Sequence, residues 1–177
     1  MKKQLIFILS ACLNLALINS VMGQTAAADN KVSESVTFHE MQNGPDVYGI
    51  FEGRSPCGIS RQMDTSMGSD CDHLKWQLIL FRDTRTLKPT SFSLTTEMFG
   101  RRPLKGKWTI IRGNRNEPKA VVFALAYGEP NQVLYLYKGD ENVLFILDKN
   151  REFMAGDKDF SYTLNRVHKV LRPLPDH

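Results

Sequence analysis

Leu74-Lys75-Trp76-Gln77-Leu78-Ile79-Leu80-Phe81 decides the fold. Trp76, Leu78 and Leu80 fall on one side of an extended chain and Lys75 and Gln77 on the other. That period of two is what a half-buried β-strand requires. The alternation recurs in both directions along the chain. Residues 91–98 set Phe92, Leu94 and Met98 against Ser91, Ser93 and Glu97, and residues 106–111 place Trp108 and Ile110 in phase. Further runs lie at 47–51, 120–127, 133–137, 143–147 and 160–164. Turn residues separate them: Gly113-Asn114, Gly128-Glu129-Pro130-Asn131, Gly139-Asp140 and Asp148-Lys149-Asn150.

About eight short strands, each with one apolar face, predict an all-β domain. Closure removes exposed strand edges, so a small antiparallel up-and-down barrel is expected, with a sandwich as the alternative. No stretch after residue 24 has a helical period, and no internal repeat stands out. The 177 residues suit one such domain. With 42% hydrophobic and 24% charged residues, the composition is that of a globular protein.

The first two dozen residues read differently. Lys2 and Lys3 precede an apolar run at 5–18, broken only by Ser10 and Asn14, and Val21-Met22-Gly23 follows. This pattern predicts a cleaved secretory signal over 1–23, too short and too lightly flanked for a membrane span. Leu9-Ser10-Ala11-Cys12 also has the form of a lipobox, in which Cys12 would be lipidated and begin the mature chain. The apolar run continues from Leu13 to Val21, which favours ordinary cleavage. An exported protein of the periplasm or cell envelope is therefore expected, with a lipid anchor to the outer membrane as the alternative. Residues 24–45 read as a flexible leader with a short apolar stretch at 36–38, 46–166 as the β domain, and 167–177, with Pro173 and Pro175, as a tail.

Removing the signal takes two lysines and no acid, leaving 21 basic and 19 acidic residues. Nothing in that balance calls for nucleic acid as a partner. Arg101, Arg102, Lys105 and Lys107 read as a solvated face. An enzyme is not expected: the chain has no nucleophile elbow, phosphate loop or dinucleotide fingerprint, and its histidines are His39, His73, His168 and His177.

Residues 56–73 form the informative loop. They hold Cys57 and Cys71, the two cysteines left in the mature chain, with Met63, Met67 and His73. Two readings stand. An even cysteine count in an oxidising compartment favours a disulfide. Thiolate, thioether and imidazole are also the soft donors that select copper(I), and Met63 and Met67 sit in a polar stretch where core filling is not expected. A disulfide would remove the thiolates that a metal needs, so the readings coexist only if the pair is redox-active.

Gly106-Lys107-Trp108 resembles the Gly-x-Trp of lipocalins, and Trp108 is expected in the core. The order of motifs resembles more closely the N-terminal domain of the NlpE copper-resistance lipoproteins. It runs from Val47-Tyr48-Gly49-Ile50-Phe51-Glu52-Gly53 and Pro56-Cys57 through Leu78-Ile79-Leu80, Gly106-Lys107-Trp108 and Leu147-Asp148 to Tyr162-Thr163-Leu164-Asn165-Arg166. The resemblance spans about residues 46–166. It implies a lipocalin-like barrel in the bacterial envelope, with a role in copper tolerance or envelope-stress sensing. The family's Cys-x-x-Cys is not kept: Ser60 stands at its second position and the next cysteine is Cys71. The other readings are a barrel that takes a small apolar ligand or lipid in its lumen, with Trp76 and Trp108 among its walls, and a non-catalytic module that binds an envelope protein partner.

Overall fold

A computed structural model describes residues 33–34, 42–63, 71–99, 102–128 and 132–168. The expected signal segment with Cys12, the apolar stretch at 36–38, Met67, Arg101 and the chain beyond 168 lie outside these. Among the described residues the strands are β1 Ser33–Glu34, β2 Val47–Ser55, β3 Leu74–Arg82, β4 Pro89–Thr96, β5 Leu104–Arg112, β6 Val121–Tyr127, β7 Gln132–Lys138, β8 Val143–Leu147 and β9 Thr163–His168.

Each strand from β2 to β9 pairs antiparallel with the next in sequence, and β9 pairs with both β8 and β2. The sheet is therefore a closed eight-stranded up-and-down barrel, and closure excludes the sandwich. Closure is fixed by Leu144 opposite Leu164 on one side of β9 and Ile50 opposite Val167 on the other. β1 adds two parallel pairs along β9, beyond the point where β8 stops.

The alternation puts Phe51, Trp76, Leu78, Leu80, Phe92, Leu94, Trp108, Phe123, Leu125, Leu136, Leu144 and Leu164 inside, each buried. A barrel of this strand number has an interior just wide enough for such side chains to fill. Gly106 is where two strands and a ring approach most closely. A Cβ there would collide with the Ala126 carbonyl and stand 2.8 Å from the Phe92 ring. The first position of the Gly-x-Trp motif thus lacks a side chain because β6 leaves no room for one.

Several expected boundaries differ; β4 begins at Pro89 and β5 runs from Leu104 to Arg112. β2 runs on to Ser55, and Ser55 is itself buried. β4 ends at Thr96, and Glu97–Phe99 is a 3-10 turn in which Glu97 accepts the Lys75 backbone N–H at 2.8 Å. The last strand begins at Thr163 rather than 160, because the Asp157 carboxylate takes the backbone N–H groups of Asp159 and Phe160 for a turn. It also continues past 166: Val167 pairs with Ile50 and is 7% exposed, so residues 167 and 168 belong to the barrel and not to a tail. Ile110 shares the inward phase of Trp108 but is 47% exposed. The β4–β5 ladder stops at Ser91 opposite Lys107, so β5 projects past its neighbour there.

The topology gives the barrel two ends. At the entry end the chain comes in ahead of β2, and the turns 83–88, 113–120 and 139–142 lie there. At the plug end β2, β4, β6 and β8 finish, and the chain leaves them there.

Candidate functional site: the Cys57–Cys71 plug

Pro56 stops β2 and the chain turns into the 3-10 segment Cys57–Arg61, with the Ser60 hydroxyl donating to the Cys57 carbonyl at 2.8 Å. Cys57 and Cys71 are joined by a disulfide across Cα atoms 6.2 Å apart. Both sulfurs pack against the barrel core. Ile59 and Met63 turn inward and are 1% and 4% exposed. The described part of the loop is therefore a plug: Ile59 and Met63 complete the core, and the disulfide ties its start to its end.

The plug is held from the far side of the closure by the β8–β9 connection. The Lys149 backbone N–H donates to Gln62 Oε1 at 3.0 Å, and Gln62 Nε2 donates to Met154 Sδ at 3.6 Å. Tyr162 is buried beside Gly58, where an added Cβ would stand 3.0 Å from its hydroxyl. His73 bonds to the Asp72 carboxylate through Nδ1 at 2.7 Å, and its ring lies 4.7 Å from that of Phe160.

The expected donor set is only partly assembled. Cys57 and Cys71 are brought together, but as a disulfide, and no thiolate is left for a metal. Met63 is not an exposed thioether. It is 4% exposed and belongs to the core cluster, while Arg61 and Gln62 before it are exposed. His73 is turned toward Asp72 and Phe160, and Met67 lies outside the described residues. Among the described residues no group of three or more His, Cys, Asp or Glu could hold a metal ion. Sequence reasoning missed Ile59, Gln62 and Tyr162 as anchors of the plug. Ile59, an aliphatic residue in a largely polar loop, was the signal available.

The lumen is filled. Leu74, Leu78, Leu80, Leu94, Leu125 and Leu136 have no accessible surface. A void large enough for water beside them would leave some.

At the entry end two basic side chains share the inward phase. The Arg166 guanidinium lies 4.7 Å from the Phe51 ring centre and 5.2 Å from that of Tyr48. It donates to the Tyr48 carbonyl at 2.8 Å and the Glu141 carbonyl at 2.6 Å. Lys138 pairs with the Glu141 carboxylate. Burial works against the Lys138 ammonium, but Glu141 and Tyr48 outweigh it and leave its pKa raised.

What fold and site define is a closed up-and-down barrel with a disulfide-pinned plug. Comparison with protein-family models, curated proteins and solved structures gives no match.

Proposed function

We propose that this chain is an exported envelope barrel of the NlpE type, whose Cys57–Cys71 loop is a redox-gated site for copper(I). The observation that carries the reading is the pairing of these two cysteines across one loop. A disulfide persists in an oxidising compartment, which supports export. The order of motifs from Val47 to Arg166 supports the family. The oxidised loop takes no metal through its sulfurs. A dithiol reductant supplies two electrons and two protons, splits the bond and leaves two thiols, which lose their protons to bind copper(I). The packed lumen speaks against the alternative of an apolar ligand inside the barrel.

The protein isolated from the envelope is alkylated before and after reduction and weighed intact. The expected result is that neither Cys57 nor Cys71 is labelled until reduction. The same mass reports cleavage after Gly23 or lipid on Cys12. The reduced protein is then titrated with copper(I) against a chromophoric chelator. It should bind at micromolar metal, and the Cys57→Ser/Cys71→Ser variant should not. Absence of binding by the reduced wild type overturns the copper reading.

A further inference from the structure

After β8 the chain folds back beside it, and Leu147 pairs with Phe153 as an isolated antiparallel bridge. The Asp148 carboxylate builds the turn between them by accepting the backbone N–H groups of Asn150 and Glu152, each at 2.8 Å. Arg151 stands in the left-handed region at φ 64°, a conformation that costs an arginine energy. Its guanidinium helps to hold it there by donating to the Gly113 carbonyl at 3.0 Å. This construction fixes the place of Phe153, an aromatic residue left 52% exposed.

Two half-buried rings back it, Tyr137 at 5.1 Å and Phe145 at 5.8 Å between ring centres. They meet it at interplanar angles of 63° and 80°, so neither lies flat on it. Contacts of this kind hold a ring in place without stacking over its face. Polar groups border the cluster. Glu152, the residue before Phe153, is ion-paired with Arg115. The Tyr137 hydroxyl donates to the Glu117 carboxylate at 3.2 Å. A fixed, open aromatic ring thus stands beside a carboxylate, a guanidinium and a phenol.

That combination indicates the kind of occupant. Phe153 is the one exposed ring of the three, whereas a stable protein interface buries roughly 800 Å² on each partner. A bilayer surface takes up several apolar side chains and attracts unpaired cations, but here Arg115 is already paired with Glu152. A sugar ring matches in size and in chemistry. It has a face of C–H bonds comparable to a phenyl ring and a rim of hydroxyls that both donate and accept.

We propose that Phe153 is the platform of a site for a neutral oligosaccharide. One hexose unit lays its C–H face on the Phe153 ring, and its hydroxyls donate to Glu152 and accept from Arg115. Because the turn already holds the ring, little freedom is lost when the sugar binds. The inference is independent of the copper reading and goes beyond it.

The full chain with its disulfide intact is titrated calorimetrically with tetra-N-acetylchitotetraose and with maltotetraose. At least one should bind at millimolar concentration or below, with little change between low and high salt, since neither sugar is charged. Phe153→Ala should weaken binding about tenfold, the upper end of what one aromatic contact contributes. Phe153→Trp should retain binding, because the wider ring keeps the platform. Circular dichroism of both variants should match the wild type, which separates lost binding from lost folding. Equal binding by wild type and Phe153→Ala would place the sugar elsewhere and overturns the proposal. Loss of binding in Phe153→Trp with the fold intact also overturns it, since an aromatic platform tolerates that exchange. Binding of neither oligosaccharide overturns it as well and leaves a protein side chain as the occupant of the ring.

Discussion

The Arg166 guanidinium lies across Gly49, and a Cβ at that position would collide with Nη1 and stand 2.9 Å from the Phe51 ring. The relationship crosses the seam where the barrel closes, β9 against β2. The missing side chain of one strand is the resting place of a cation from the other. From there the guanidinium reaches carbonyls on β2 and on the β7–β8 turn.

Gly49→Ala should therefore act through Arg166. Displacing the guanidinium forfeits both carbonyl contacts and its place on Phe51, a loss of about 1–3 kcal/mol. Arg166→Ala should cost a similar amount for the same reason. The double variant should then fall well short of the sum of the two, because the second change removes what the first has already lost. Urea unfolding midpoints of the four proteins measure this, and strict additivity would show that the two residues act separately.

Opening the Cys57–Cys71 disulfide should loosen the plug before the barrel. The bond joins residues 14 positions apart, worth about 3 kcal/mol by chain entropy. Cys57→Ala/Cys71→Ala should lose about that much while keeping its strand content, since the eight-stranded ladder does not depend on the bridge. Amide exchange should accelerate first in residues 56–63, and reduced wild type should behave like the variant. Equal acceleration across β3 and β6 would show instead that plug and barrel unfold as one unit.

The barrel was legible in the sequence because nearly every strand has a two-residue period and a recognisable turn after it. The stretch 74–81 alternates so regularly that its inner residues, Trp76, Leu78 and Leu80, are all core. What alternation does not encode is where a ladder stops. Ile110 has the inward phase but stands past the end of β4, and Phe160 is apolar yet claimed by the turn of Asp157. The plug was half legible. Two cysteines 14 positions apart announced a loop, but Met63 has only polar neighbours in sequence, and a loop residue that dips into a barrel leaves no period to detect. The seam contact of Arg166 with Gly49 joins residues more than a hundred positions apart, and neither position announces the other.

Ser55 and Trp76 form a buried hydrogen-bonded pair. The indole Nε1 donates to Ser55 Oγ at 2.8 Å, and that hydroxyl donates onward to the Pro56 carbonyl at 3.1 Å. Ser55→Ala strands a buried indole N–H and should cost about 1–3 kcal/mol. Trp76→Phe removes the donor but leaves the hydroxyl its carbonyl, so its cost is chiefly lost packing. In the Trp76→Phe background Ser55→Ala should therefore cost markedly less than in the wild type. Unfolding free energies of the three variants test it, and an equal cost in both backgrounds would remove the hydrogen bond from the account.

Alkaline pH should probe the plug through Tyr162. Burial, and then the nearby Asp157 carboxylate, raise its pKa above the usual phenol value of 10.0. Tyr137 is raised chiefly by the hydrogen bond to Glu117, but it is more open to solvent and its effect is correspondingly screened. In the unfolded chain both phenols ionise near the usual value, whereas the folded protein holds their protons longer. Above that value the unfolded state binds fewer protons, so stability declines with rising pH and is complete below it. The decline should begin near pH 10.0, the ordinary phenol value, and continue up to the raised pKa. Tyrosinate absorbance of the folded protein should show late-ionising groups, with one step missing in Tyr162→Phe. The unfolding midpoint of Tyr162→Phe should fall less steeply with pH than that of the wild type, and Tyr137→Phe should change the slope only slightly. An unchanged slope in Tyr162→Phe would mean that the phenol beside Gly58 is hydrated and that the plug admits water at that point.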